Sequence, residues 1–143
     1  MQVDFYLLSI SETMDGERFV CRLTEKVFRQ KYRIYINTLN LAATSRLDDM
    51  LWTFSPGSFL PHSLANSEIE DDNEQIMIGH EAIPATAGDV LINMATDVPL
   101  AHTQFSRIVE IVYNTEQHKQ VSRNHYRYYR EQEYTISSHE ITL

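Results

Sequence analysis

The chain of 143 residues has one cysteine, Cys21, so it cannot close an internal disulfide, and a reducing compartment is expected. It has no apolar run approaching the ~20 residues that span a bilayer as a helix. Its first stretch, MQVDFYLLSISE, has an acid at Asp4 and no basic residues before the apolar run, unlike a secretory signal. These absences lead us to expect a cytoplasmic protein with no membrane partner. Glycine and proline number four each while 43% of residues are hydrophobic, which excludes collagen-like and low-complexity chains. No linker separates two cores, so residues 1–143 read as one domain. Positive charge is also scarce: twelve Lys and Arg stand against twenty Asp and Glu, for a formal charge of −8. That balance argues against nonspecific nucleic-acid binding, which needs a net basic footprint.

Most catalytic and cofactor motifs are missing as well. SISETMDGERF, after the first apolar run, holds one glycine in place of G-x-G-x-x-G, and no G-x-x-x-x-G-K-[ST] occurs. Without those glycines the backbone cannot approach a pyrophosphate closely, so no dinucleotide or other cofactor is expected. His62, His80, His102, His118, His125 and His139 form neither H-E-x-x-H nor a Cys/His zinc spacing; surface or loop positions are expected, and no metal. On a strand, the neighbours His80 and Glu81 would point to opposite faces. Cys21 reads as a buried structural thiol. G-x-S-x-G is absent. The acidic run Glu68 to Glu74 lacks EF-hand spacing and its central glycine, so it reads as a solvated loop. No catalytic residue is assigned.

Apolar patterning supplies the fold class. VDFYLL reads as a buried strand. Phe19, Val20, Leu23 and Val27 recur at helical spacing in DGERFVCRLTEKVFRQKY, and RIYIN follows as a second strand. Strand, helix, strand predicts a parallel pair. A second helix is expected from about Ala42 to Phe54, stopped by Pro56 and Gly57. IMIGH, DVLINM and RIVEIVY read as strands, residues from Thr115 to about Glu131 as a helix, and YTISS as a short edge strand. The alternation predicts an α/β fold: a three-layer, mostly parallel sheet with helices on both faces.

One stretch departs from the acidic average. HKQVSRNHYRYYREQEYT carries Lys119, Arg123, Arg127 and Arg130, spaced by four, four and three residues, which aligns them on one helix face with Tyr126. Like charges at such spacing weaken an isolated helix by tenths of a kcal/mol each. The face reads either as solvated cations paired with acids of neighbouring elements or as a groove for a negatively charged partner. Arginine offers planar donors for carboxylates or phosphates, and tyrosines add apolar walls for a peptide side chain or a base. A short acidic peptide with a terminal aromatic residue satisfies both, as does single-stranded nucleic acid; the overall negative charge favours the peptide. A second patch, LDDMLWTFSPGSFLPHSLA, places Trp52, Phe59, Leu60 and Pro61 around a helix end and a loop, as a core plug or a protein interface.

FYLL, RLDDMLWTFSPGSFLPHSLA, GDVLINM and KQVSRNHYRYYR occur in the order found in the chi subunit of bacterial DNA polymerase III holoenzyme, and the chain resembles that family over nearly its whole length. The resemblance implies a non-catalytic clamp-loader accessory subunit with a Rossmann-like fold. It implies two partners: the psi subunit and the acidic C-terminal tail of single-stranded DNA-binding protein, with DNA contacted mainly through that protein. The family's tail-binding positions match Lys119, Arg123, Tyr126, Arg127 and Arg130, and its psi-contacting aromatic positions match Trp52 and Phe59. A helicase using the aromatic patch is a further partner that the family implies. The chain departs from the family in three places. Lys31 and Tyr32 stand where glycine is frequent, Arg127 where lysine is common, and EIEDDNE replaces a glycine-rich link. The rival readings are a small nucleotide-using or hydrolytic α/β enzyme and a direct binder of single-stranded DNA.

Overall fold

Short, nearly continuous apolar runs build a sheet that buries both of its faces. The structure, a computed structural model, describes residues 1–55, 57, 60–65, 75–84 and 88–143. Its elements run β1 (Gln2–Leu8), α1 (Thr13–Arg29), β2 (Ile34–Asn37), α2 (Leu41–Thr53), β3 (Ser63–Leu64), β4 (Ile76–Gly79), β5 (Val90–Asn93), a 3-10 turn (Leu100–Gln104), β6 (Arg107–Val112), α3 (Glu116–Glu131) and β7 (Thr135–Ile141). The strands form one sheet in the order β3-β4-β2-β5-β6-β1-β7, and every paired neighbour is parallel. No helix among the described residues is long and apolar enough to cross a membrane.

The two faces divide by residue parity, as strand geometry requires. Leu8, Ile34, Ile36, Ile76, Ile78, Val90, Ile92, Val109 and Ile111 pack with Val20, Leu23 and Val27 of α1 and Leu47 and Leu51 of α2. Val3, Phe5, Tyr35, Leu91, Ile108 and Val112 pack with Tyr129 of α3 on the other side. The three-layer, parallel expectation therefore holds. Two details differ. β3 is only two residues long, too short to leave an apolar period in the sequence. β7 extends over seven residues because β1 pairs with it from end to end.

One of the family departures falls at a helix end. Lys31 adopts φ 67° just past α1, where its N–H donates to the Phe28 carbonyl at 2.9 Å. It thus occupies the left-handed position that glycine usually fills after a helix, at a cost of about 1–2 kcal/mol. The acidic Glu68–Glu74 run lies outside the described residues. Cys21 is fully buried, as anticipated; burial, then the nearby Glu17 charge, push its thiol up to about 12.

Gly16 sits where α1 crosses the end of β6. A Cβ there would come within 1.8 Å of Tyr113 Cε1. Gly16→Ala is therefore expected to destabilise the fold by about 1–3 kcal/mol, although alanine is the better helix former. Urea unfolding measures it, and an unchanged or raised midpoint would refute the close approach.

Candidate peptide-binding site

The tyrosine-bearing helix is held down by a buried polar chain. Thr115 caps α3 by accepting from the His118 N–H at 3.2 Å. Asn37, Asn93 and Glu110 lie side by side across β2, β5 and β6. Asn37 Nδ2 donates to Asn93 Oδ1 at 3.0 Å, and Asn93 Nδ2 donates to Glu110 Oε1 at 3.1 Å. Two groups on the inner side of α3 meet the same carboxylate: His125 Nδ1 at 3.2 Å and the Tyr129 hydroxyl. His125 Nε2 bonds the Thr96 carbonyl at 2.8 Å. Burial alone would lower the His125 pKa, but the hydrogen bond and charge of Glu110 outweigh it and raise the value. Burial pushes the Tyr129 hydroxyl up strongly, and Glu110 adds to the effect.

With His125 and Tyr129 turned inward, helical geometry turns the intervening residues outward. Lys119, Arg123, Tyr126, Arg127 and Arg130 are all exposed. Arg123, Tyr126, Arg127 and Arg130 line a single cleft of about 410 Å³, floored by Phe5 and Leu7 of β1 and bounded by Ser122 and Ser138. The Tyr126 ring rests on Phe5, with centroids 5.9 Å apart. Lys119 lies in an adjoining cleft of about 250 Å³ that shares Leu7, Ser122 and Arg123 with the first. Among the described residues none of the four cations forms an ion pair; Arg123 Nη1 donates only to Gln120 Oε1, at 3.4 Å. The cleft therefore sets several cationic donors beside an apolar floor, a combination whose chemistry suits an anionic ligand with an apolar end.

Phe5, Leu7, Ser122 and Ser138 were not picked out from the sequence. Ser122 could have been, since it neighbours Arg123 on the same helix. The others join the cleft only because β1 and β7 pass beneath α3.

The second patch divides. Trp52 is 48% exposed and packs against His62, with ring centroids 4.3 Å apart and the planes tilted by 42°. Pro61 is half-buried. Leu60, expected at the partner interface, is instead only 2% exposed and belongs to the core beneath α2. The backbone folds back there: His62 Nδ1 bonds the Leu60 carbonyl at 2.7 Å and His62 Nε2 approaches Asp48 Oδ1 at 3.0 Å. Phe59 lies outside the described residues.

The histidines also differ from expectation. His62, His102 and His125 are buried, because each finds polar partners that offset its loss of water. His80 and Glu81 do not point apart: β4 ends at Gly79, the chain turns, and the two side chains meet at 3.6 Å.

Comparison with known proteins agrees with this architecture. The family model described as DNA polymerase III chi subunit, HolC, matches residues 1–137. The DNA polymerase III subunit chi of Pseudomonas aeruginosa is 34% identical over 140 residues, covering 98% of this chain and 96% of that protein. Its counterpart in Escherichia coli is 29% identical over 88% of each chain, and that of Haemophilus influenzae is 24% identical over 96% and 95%. With α3 packed across a parallel sheet and the match running through it, this chain belongs to the chi subunit family of DNA polymerase III.

Proposed function

We propose that this chain is a single-domain, non-catalytic accessory subunit of the replicative clamp loader, in the cytoplasm. It grips the acidic C-terminal tail of single-stranded DNA-binding protein and links it to the psi subunit. The observation that carries the reading is the row of cations, without an ion pair among the described residues, that stands with Tyr126 around an apolar-floored cleft. Charge-assisted contacts from Lys119, Arg123, Arg127 and Arg130 hold the tail's acids and terminal carboxylate. Tyr126, Phe5 and Leu7 receive its last, hydrophobic side chain. DNA is met mainly through the bound protein, since the chain's own charge is −8.

Trp52, with Phe59 and Pro61, is the second partner surface, for psi or another protein such as a helicase. Its position supports a linking role: α2 packs on one face of the sheet and α3 on the other. Two partners can then be held at once without competing.

Short-peptide contacts of this kind give micromolar affinity, about −8 kcal/mol. Arg123→Ala or Tyr126→Ala is expected to weaken binding of a tail peptide about tenfold by calorimetry, without unfolding the domain. Wild-type affinity should also fall as salt rises. Unchanged affinity in both variants, or affinity flat across salt, rejects the assignment. Trp52→Ala should leave tail binding intact while removing psi from a pull-down.

A further inference from the structure

We propose that the acidic peptide binds as an eighth strand, added to the free edge of β7. This inference rests on the tail-binding reading of the same cleft and assigns the backbone its part in it.

β7 is an edge strand, paired only with β1 among the described residues. The Thr135 N–H donates to the Met1 carbonyl at 3.1 Å, and the Ile141 carbonyl accepts from the Ser9 N–H at 2.9 Å. In an extended strand the N–H and C=O of one residue point to the same side, and those of its neighbours to the other. The odd-numbered residues of β7 therefore turn their backbone toward β1, and Ile136, Ser138 and Glu140 turn theirs outward. Among the described residues nothing pairs with those outward groups.

An edge of seven residues without proline, unpaired on its outer side among the described residues, is a ready template for another strand. Here it borders the basic cleft directly, because Ser138 lines both. Strand addition at exposed edges is an established mode of peptide capture, in which the backbone supplies affinity and alternate side chains supply specificity. The occupant is set by charge: an acidic chain end suits a rim carrying Arg123, Arg127 and Arg130, and a basic peptide does not. Glu140 is the one acid of β7, set opposite Leu7 in register and absent from the cleft lining.

Pairing with β7 dictates what the cleft can read. Alternate residues of an added strand stand about 6.8 Å apart on one face. The final aromatic residue and the residue two before it would both face α3, one over Phe5 and Leu7 and the other toward the arginines. The residue between them would face away.

The test uses the full chain and a set of acidic peptides ending in phenylalanine, each N-methylated at one successive amide. Calorimetry should show losses of about tenfold at alternate amides and near-parent affinity at those between, as each outward pairing is removed. On the protein side, Ser138→Pro should weaken binding about tenfold more than Ser138→Ala does, since both remove the hydroxyl and only proline removes the outward N–H, at an edge position whose N–H makes no ladder bond. Hydrogen exchange should slow at the Ile136, Ser138 and Glu140 amides when peptide is added. An N-methyl series with flat affinity, or with losses that do not alternate, overturns strand addition. If Arg123→Ala weakens the peptide while that series stays flat, the tail-binding reading survives and the added strand does not. If neither Arg123→Ala nor Tyr126→Ala has an effect, the reading itself has failed.

Discussion

Glu110→Ala is expected to lower the stability of the fold by about 3–5 kcal/mol, the range for removing one partner of a buried charged pair. Glu110 is 4% exposed and receives Asn93, His125 and Tyr129 together. Truncation leaves three buried donors without their acceptor, each costing about 1–3 kcal/mol if nothing replaces it. Tyr129→Phe, which removes one donor and leaves the carboxylate two others, should cost about 1 kcal/mol. Urea unfolding separates the two, and a Glu110→Ala loss below about 1 kcal/mol would show that the network does not hold α3 to the sheet. The pH dependence has a definite sign. His125 has a folded pKa raised above its ordinary 6.5, so the protonated form is favoured in the folded state. Its contribution is fully present below the unfolded value and is lost as pH rises through the higher folded value. Glu110→Gln should flatten that slope.

Replacing Arg123, Arg127 and Arg130 together by alanine is expected to weaken tail-peptide binding more than a hundredfold, about 2.7 kcal/mol. One exposed ion pair contributes little alone, but these three surround one cleft with an apolar floor, so a bound acidic chain meets them together. Stability should change by less than about 0.5 kcal/mol, because no ion pair to a described residue is lost and the repulsion along α3 is relieved. A triple variant that binds like wild type ends the proposed site. One that unfolds would assign these arginines to the fold and away from recognition.

The sequence by itself determined the local features. Short apolar runs marked β1, β2, β4, β5 and β6, and helical spacing marked α1, α2 and α3, within about three residues of their ends. The i, i+4, i+8 spacing of Lys119, Arg123 and Arg127 placed their charges on one face, because a helix turn is a property of a few consecutive residues. Tertiary structure alone decided what lies opposite that face. Phe5 and Leu7 become the cleft floor, and Ser138 its edge, only when β6-β1-β7 assemble under α3. Leu60 and His62 look like loop residues until the chain folds back onto α2. Glu110, one acid in an apolar strand, carries no sign that Asn93, His125 and Tyr129 will converge on it. Periodicity reports which side of an element a residue occupies, whereas partners distant in the chain are chosen by burial and hydrogen-bond satisfaction, which no local pattern records.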